Sequence, residues 1–202
     1  MPVAARLLTL LTGLVLFGVS IALMVTADLG LPSWDALHQG GARTTGLPFG
    51  WVVNIVGALV LLAWIPLRVR PGIGTLGNVL VVGLATEAAL ALLPSPETLV
   101  VRIPLLFAGI VLNALATGLY IGAGFGPGPR DGLMTGLARR GISVRSARTA
   151  TEVCVLALGW LLGGTVGFGT LLFAATIGPL AQLAIRRFSA PAVTPKGDAT
   201  TT

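Results

Sequence analysis

Asp131 follows Arg130 at the end of a glycine- and proline-rich run, Gly124-Phe125-Gly126-Pro127-Gly128-Pro129-Arg130-Asp131-Gly132-Leu133-Met134. Glycine and proline end the helix before this run. An aspartate placed there can cap the next helix by accepting from its free backbone N–H groups. Asp35 stands in a similar setting, Gly30-Leu31-Pro32-Ser33-Trp34-Asp35. If the two short helices that follow dip into a bilayer, their N-termini offer N–H groups to an anion or carboxylate, and Arg130 adds a planar donor fork. Glu87 differs: it lies inside an apolar run with no helical neighbour of opposite charge. A carboxylate there either carries a proton or bonds to another helix, and is a functional candidate by default. Asp131, Arg130, Asp35 and Glu87 are therefore the candidate substrate-binding residues. Beside this stands the plainer reading of Asp35 and Asp131 as two helix caps at the membrane interface. Glu152 follows Arg145 and Arg148 by seven and four residues, so an ion pair on one helix face explains it as well as a function does.

No catalytic constellation accompanies these residues. The chain has no Walker-type glycine loop, no His-Glu-x-x-His and no Ser-His-Asp set. His38 is the single histidine, read as a polar loop residue, and one histidine cannot build a metal site. Cys154 is the single cysteine, which excludes an intrachain disulfide and a thiolate cluster; it reads as a small buried hydrophobe. The expectation is a protein that is not an enzyme and holds neither metal nor cofactor.

The elements that carry these residues are membrane helices. Hydrophobic residues make up 54% of the 202 positions and charged residues only 10%, against about a quarter charged in soluble domains. Apolar runs near the roughly 20 residues that cross a bilayer occupy Leu7–Thr26, Gly50–Leu67, Thr75–Leu93, Ile103–Ala123, Thr149–Gly164 and Thr170–Ile185. They are continuous, without the alternation of a spanning barrel. The first is longer than the core of a cleaved signal peptide, so it counts as a span. Arg6, Arg68, Arg70, Arg130, Arg139, Arg140, Arg145, Arg148, Arg186, Arg187 and Lys196 fall on one side of this arrangement, and only Arg43 and Arg102 on the other. The positive-inside rule makes the first side, with both termini, cytoplasmic. Anionic headgroups account for the net charge of +6 without nucleic acid. Residues 188–202 read as a disordered cytoplasmic tail.

Positions 13–43 lie on 109–139 without a gap, with Gly30 on Gly126, Asp35 on Asp131, Gly40 on Gly136 and Arg43 on Arg139 among eleven identities. The same shift pairs Trp64 with Trp160. One deletion then sets Gly72-Ile73-Gly74-Thr75 on Gly167-Phe168-Gly169-Thr170, Gly83 on Gly178 and Glu87 on Gln182. Each unit holds three spans, so the second must cross the membrane in the opposite direction. The expected fold is an all-α polytopic membrane protein: six transmembrane helices as two inverted three-helix repeats, residues 1–95 and 96–187. Each repeat carries a short interfacial or re-entrant helix. Gly118, Gly122 and Gly126, like Gly159, Gly163 and Gly167, recur every four residues and mark close helix packing, within the chain or in a homo-oligomer. The four tryptophans are expected near the interfaces, with a deeper position as the alternative for Trp160.

The run Gly126–Met134, then Arg145–Glu152, Gly159-Trp160-Leu161-Leu162-Gly163-Gly164 and Gly167–Thr170 resemble the YczE/YyaS/YitT-type bacterial membrane proteins, the YczE branch in particular. The resemblance covers nearly the whole chain and is most specific in its second half. That family typically has a shorter Gly-Pro-Arg-Asp-Gly-Leu-Met block, from which the extra glycine-proline alternation here departs. The resemblance implies a protein of the bacterial cytoplasmic membrane and carries no biochemical activity with it. Inverted repeats are common in secondary transporters. The expected function is thus a secondary transporter or permease for a small polar or anionic solute. The alternative is a membrane accessory protein that organises another membrane or biosynthetic protein without transporting.

Overall fold

The computed structural model describes residues 2–188, and its regular elements are helices alone: α1 Val3–Ala27, α2 Ser33–Thr45, α3 Phe49–Leu67, α4 Ile73–Leu92, α5 Leu99–Gly122, α6 Pro129–Ala138, α7 Val144–Leu161 and α8 Phe168–Phe188. The tail read after Phe188 lies outside the described residues. Five helices, α1, α3, α4, α5 and α8, are long and apolar enough to cross a membrane. Many of their large apolar side chains face outward, such as Leu8, Leu59, Leu80, Val100 and Leu183. Only lipid makes such a surface favourable. The chain is a multi-pass membrane protein. The expected fifth span needs correction: α7 starts at Val144, so it takes in Arg145, Arg148 and Glu152, and it ends at Leu161. Its uninterrupted apolar part, from Val153 on, rises only about 13 Å as a helix.

The short helices also start earlier than expected. Ser33 and Pro129, equivalent under the 96-residue shift, are the first residues of α2 and α6, and Pro32 and Gly128 precede them as caps without a side-chain bond. Proline's fixed φ suits the first helical position, where an N–H has no partner anyway. Asp35 and Asp131 thus sit third in their helices, and neither caps its helix. Ser143 does cap α7, accepting from the Ser146 N–H at 3.0 Å.

α1 and α5 form the most extensive helix pair, and they run antiparallel. Arg6, early in α1, donates to the Ala123 carbonyl just past α5 at 3.0 Å and to the Gly124 carbonyl at 3.2 Å. Arg102, early in α5, donates to the Ala27 carbonyl ending α1 at 2.7 Å, and to that of Asp28. Each guanidinium satisfies carbonyls that a helix end leaves unpaired. Gly109 fits against Ser20 and Met24 of α1, and Gly118 against Ala184 of α8, so these glycines pack within the chain.

Packing continues from α1 to α4 and α3, and from α5 to α8. α3 meets both short helices, and α2 carries α7. The result is an arc of helices whose ends are α7 and α8. α3 packs on α4, whereas the corresponding α7 and α8 do not pack along each other.

The Gly-x-Gly-Thr turns tie the halves together by exchange. Thr75 Oγ1 accepts from the Gly72 N–H at 3.1 Å and donates to the Pro127 carbonyl at 2.8 Å. The Gly74 N–H donates to the Phe125 carbonyl at 2.9 Å. In the other half Thr170 Oγ1 accepts from Gly167 at 3.2 Å and donates to the Leu31 carbonyl at 2.8 Å, while Gly169 donates to the Leu29 carbonyl at 2.7 Å. The partners correspond residue for residue. The receiving loops turn at Gly30 and Gly126, both at φ +112°, where an L side chain is strained.

Candidate functional site

The starts of α2 and α6 meet inside the arc. There the Arg130 guanidinium lies 4.9 Å from the centre of the Trp34 ring. Trp34 and Arg130, which the 96-residue shift sets opposite each other in sequence, meet here as a cation–π pair. Behind them Asp35 is buried, its Oδ1 3.5 Å from Arg130 Nη2 and 3.4 Å from His38 Nδ1. His38 is buried too, and that burial pushes the imidazole below its usual pKa, against the pull of the Asp35 hydrogen bond. The Trp34 indole N–H has no hydrogen-bond partner among the described residues, whereas His38 Nδ1 has the Asp35 carboxylate beside it. Buried polar groups are ordinarily paired, so the Trp34 N–H stands ready for a partner.

These groups border a cavity of about 480 Å³, within the range of small-molecule sites. At one end lie Arg130, Asp131, Trp34 and His38. Tyr120 lines it as well and donates from its hydroxyl to Asp131 Oδ2 at 3.2 Å. From α7 come Arg148 and Glu152, and Glu152 accepts from the Ser33 hydroxyl. The remaining walls mix apolar side chains, Val53, Val56 and Val60 of α3, Val79 and Val82 of α4, Phe173 and Ile177 of α8, with the polar Asn78, Asn113, Thr117 and Gln182.

Of the four residues singled out by sequence, the fold brings three together. Arg130 and Asp131 line the cavity, and Asp35 backs Arg130. The two aspartates are not alike, since Asp35 is buried and Asp131 exposed. Glu87 stands apart from the cavity lining: its Oε2 accepts from the Gly50 N–H at 2.8 Å and so caps the start of α3. That contact is the interhelical bond that was the second option for it.

Several expectations are corrected. His38 is not a loop residue but a buried member of α2, one turn after Asp35. The Glu152 carboxylate binds Ser33, and no arginine lies within ion-pair distance among the described residues. Cys154 is exposed on α7, because α7 packs through Ala147, Val155 and Gly159 instead. Trp34 and Trp64 are buried while Trp51 and Trp160 are exposed. Trp64 packs its ring against Gly132 and donates to the Pro129 carbonyl at 2.9 Å. Trp34, His38 and Tyr120 were missed. For Trp34 a signal existed, since the repeat sets it opposite Arg130. His38 shares a helix face with Asp35. Tyr120 carried no signal, because an aromatic residue in an apolar span reads as core.

Residues 4–186 match the model of a family of unknown function, DUF6198. An uncharacterized protein of Haemophilus influenzae is 40% identical over 174 residues, covering 86% of this chain and 80% of the relative. The uncharacterized membrane protein YczE of Bacillus subtilis is 36% identical over 177 residues, covering 87% and 80%. The uncharacterized protein YyaS of the same organism is 28% identical over 167 residues, covering 79% and 82%. No solved structure matches.

Proposed function

The chain belongs to the DUF6198 family, and from that premise we propose that it is a secondary transporter or permease of the bacterial cytoplasmic membrane. It moves a solute held by its polar group at Arg130 and Asp131. The observation that carries this reading is the cavity where the two halves meet, with Arg130, Asp131 and the buried, unpaired Trp34 indole N–H at its charged end. A merely structural polar network would be expected to be satisfied. Transporter sites lie where such repeats join, often beside the N-termini of short helices.

The reading includes six spans in two inverted units, with α7 as the sixth and both termini cytoplasmic. The antiparallel α1–α5 pair and the reciprocal turn contacts support it. α7 takes the place in its unit that α3 takes in the first.

The test is uptake into proteoliposomes, screened by a trapped pH dye against pools of small polar metabolites. Asp131→Asn keeps the shape and the Tyr120 hydrogen bond but removes the charge. It is expected to leave thermal stability in detergent within a few degrees and to abolish uptake. Wild-type uptake by Asp131→Asn would remove these residues from the site. Failure of every pool with folded protein would favour the accessory role.

A further inference from the structure

The cavity lacks a wall where α7 and α8 fail to pack, and this seam bears on what the site takes. In the first half the corresponding seam is shut: a side chain at Gly83 of α4 would overlap the Asn54 amide and the Gly50 carbonyl of α3. Gly178 of α8, its equivalent, borders the cavity and has nothing within 4 Å of where a side chain would stand. The outer faces beside the seam are apolar and exposed, as at Val153, Leu158, Leu171 and Leu183. In a bilayer these faces meet lipid, so the seam joins the cavity to the membrane interior.

The charges at the polar end are unequal. Arg130 is held by Asp35. Asp131 and Glu152 have only the hydroxyls of Tyr120 and Ser33 as side-chain partners, with no cation within 4.0 Å among the described residues. Counting Arg148 at the rim, three carboxylates face two guanidiniums. Asp131 is exposed and Glu152 half-buried. A carboxylate partly drawn from water without a cation, as at Glu152, is unfavourable, and a bound ammonium group beside the two supplies the counter-charge. Polar side chains such as Asn113 and Gln182 also line the cavity, but none of them carries a charge, and the valine and isoleucine walls would cover an apolar body.

We propose that the solute of this site is an amphiphilic amine, with its ammonium group at Asp131 and Glu152 and its apolar body along α8, entering from the bilayer through the α7–α8 seam. This rests on the transporter reading and names its substrate class. It departs from the anionic solute that the sequence suggested, because Arg130 is already engaged by Asp35.

Full-length protein in lipid nanodiscs is titrated with hexyltrimethylammonium, tetramethylammonium and hexyl sulfate, with empty nanodiscs subtracted. Intrinsic tryptophan fluorescence reports occupancy beside Trp34. The hexyl cation is expected to bind at least about tenfold more tightly than tetramethylammonium, a modest share of what five buried methylenes supply. Hexyl sulfate is expected not to compete. Asp131→Asn should weaken the hexyl cation about tenfold or more. Gly178→Trp, or Ala181→Phe should that variant not fold, should bring its affinity down to that of tetramethylammonium. Equal affinity for both cations overturns the amphiphile, and tighter binding of hexyl sulfate overturns the charge. Gly178→Trp that changes oligomeric mass but not binding assigns the seam to a second copy and also overturns the proposal. Absence of cation binding alongside Asp131-dependent uptake of a purely polar solute refutes the substrate class while transport stands. Absence of both refutes the two together.

Discussion

Glu87 and Asp131 look alike in sequence, each a carboxylate in apolar surroundings, yet their partners give them different work. Glu87 accepts from a backbone N–H at the start of α3, a charge-assisted bond at the positive end of a helix dipole. Glu87→Ala is expected to cost about 1–2 kcal/mol, on the scale of a lost helix cap. It should read as a lower melting temperature in detergent with unchanged affinity for hexyltrimethylammonium. Asp131→Asn should give the opposite pattern. Gly132 is a third kind of position: a side chain there would overlap the Trp64 ring, which is fixed by its own bond to Pro129. Gly132→Ala is expected to destabilise by at least 1–3 kcal/mol, the usual overpacking range. The same measurement checks it, and a melting temperature equal to wild type would mean that Trp64 gives way.

At the scale of helices, Gly83 and Gly178 give a paired test. Gly83→Ala should separate α3 from α4 and lower stability sharply. Gly178→Ala should be neutral or slightly stabilising through helix propensity. Equal effects in a thermal-melt comparison would mean that the α7–α8 seam is closed in solution. Most of the helix map was legible in the sequence, because apolar runs of membrane length have few alternative folds. For α7 the sequence reading starts at Thr149, because Arg145 and Arg148 end the apolar run, whereas the helix begins at Val144 behind the Ser143 cap and is supported by α2. The short helices were legible from the glycine- and proline-rich runs before Asp35 and Asp131, and Gly46 and Gly141 take positive φ near their ends. Their starts were misplaced because proline at the first helical turn looks like a breaker. Of the site, Arg130, Asp131 and Asp35 were legible through the repeat. Their joining with Trp34 and His38 depends on how α2 and α6 approach, which no local pattern encodes.

For the whole molecule, a reporter near Thr45 is expected outside and one after Lys196 inside, from the distribution of arginines. Both on one side would contradict six inverted spans. The halves are also expected to need each other. Residues 1–95 alone should be degraded, and co-expression with residues 96–202 should restore a complex recoverable through a tag on either piece. A stable, monomeric first half would show that the exchanged turns matter little. Those turns set a timetable as well. The Thr75 hydroxyl bonds to a carbonyl 52 residues further along the chain, so at ribosomal rates of about 5–20 residues per second it waits roughly 3–10 s for its partner to be made. Thr170 has no such delay, since Leu31 already exists when it emerges. The helices α1, α3 and α4 therefore enter the membrane with Pro127, Phe125 and the Arg6 acceptors still unmade, and during those seconds only the packing of α4 against α1 and α3 is there to keep them together.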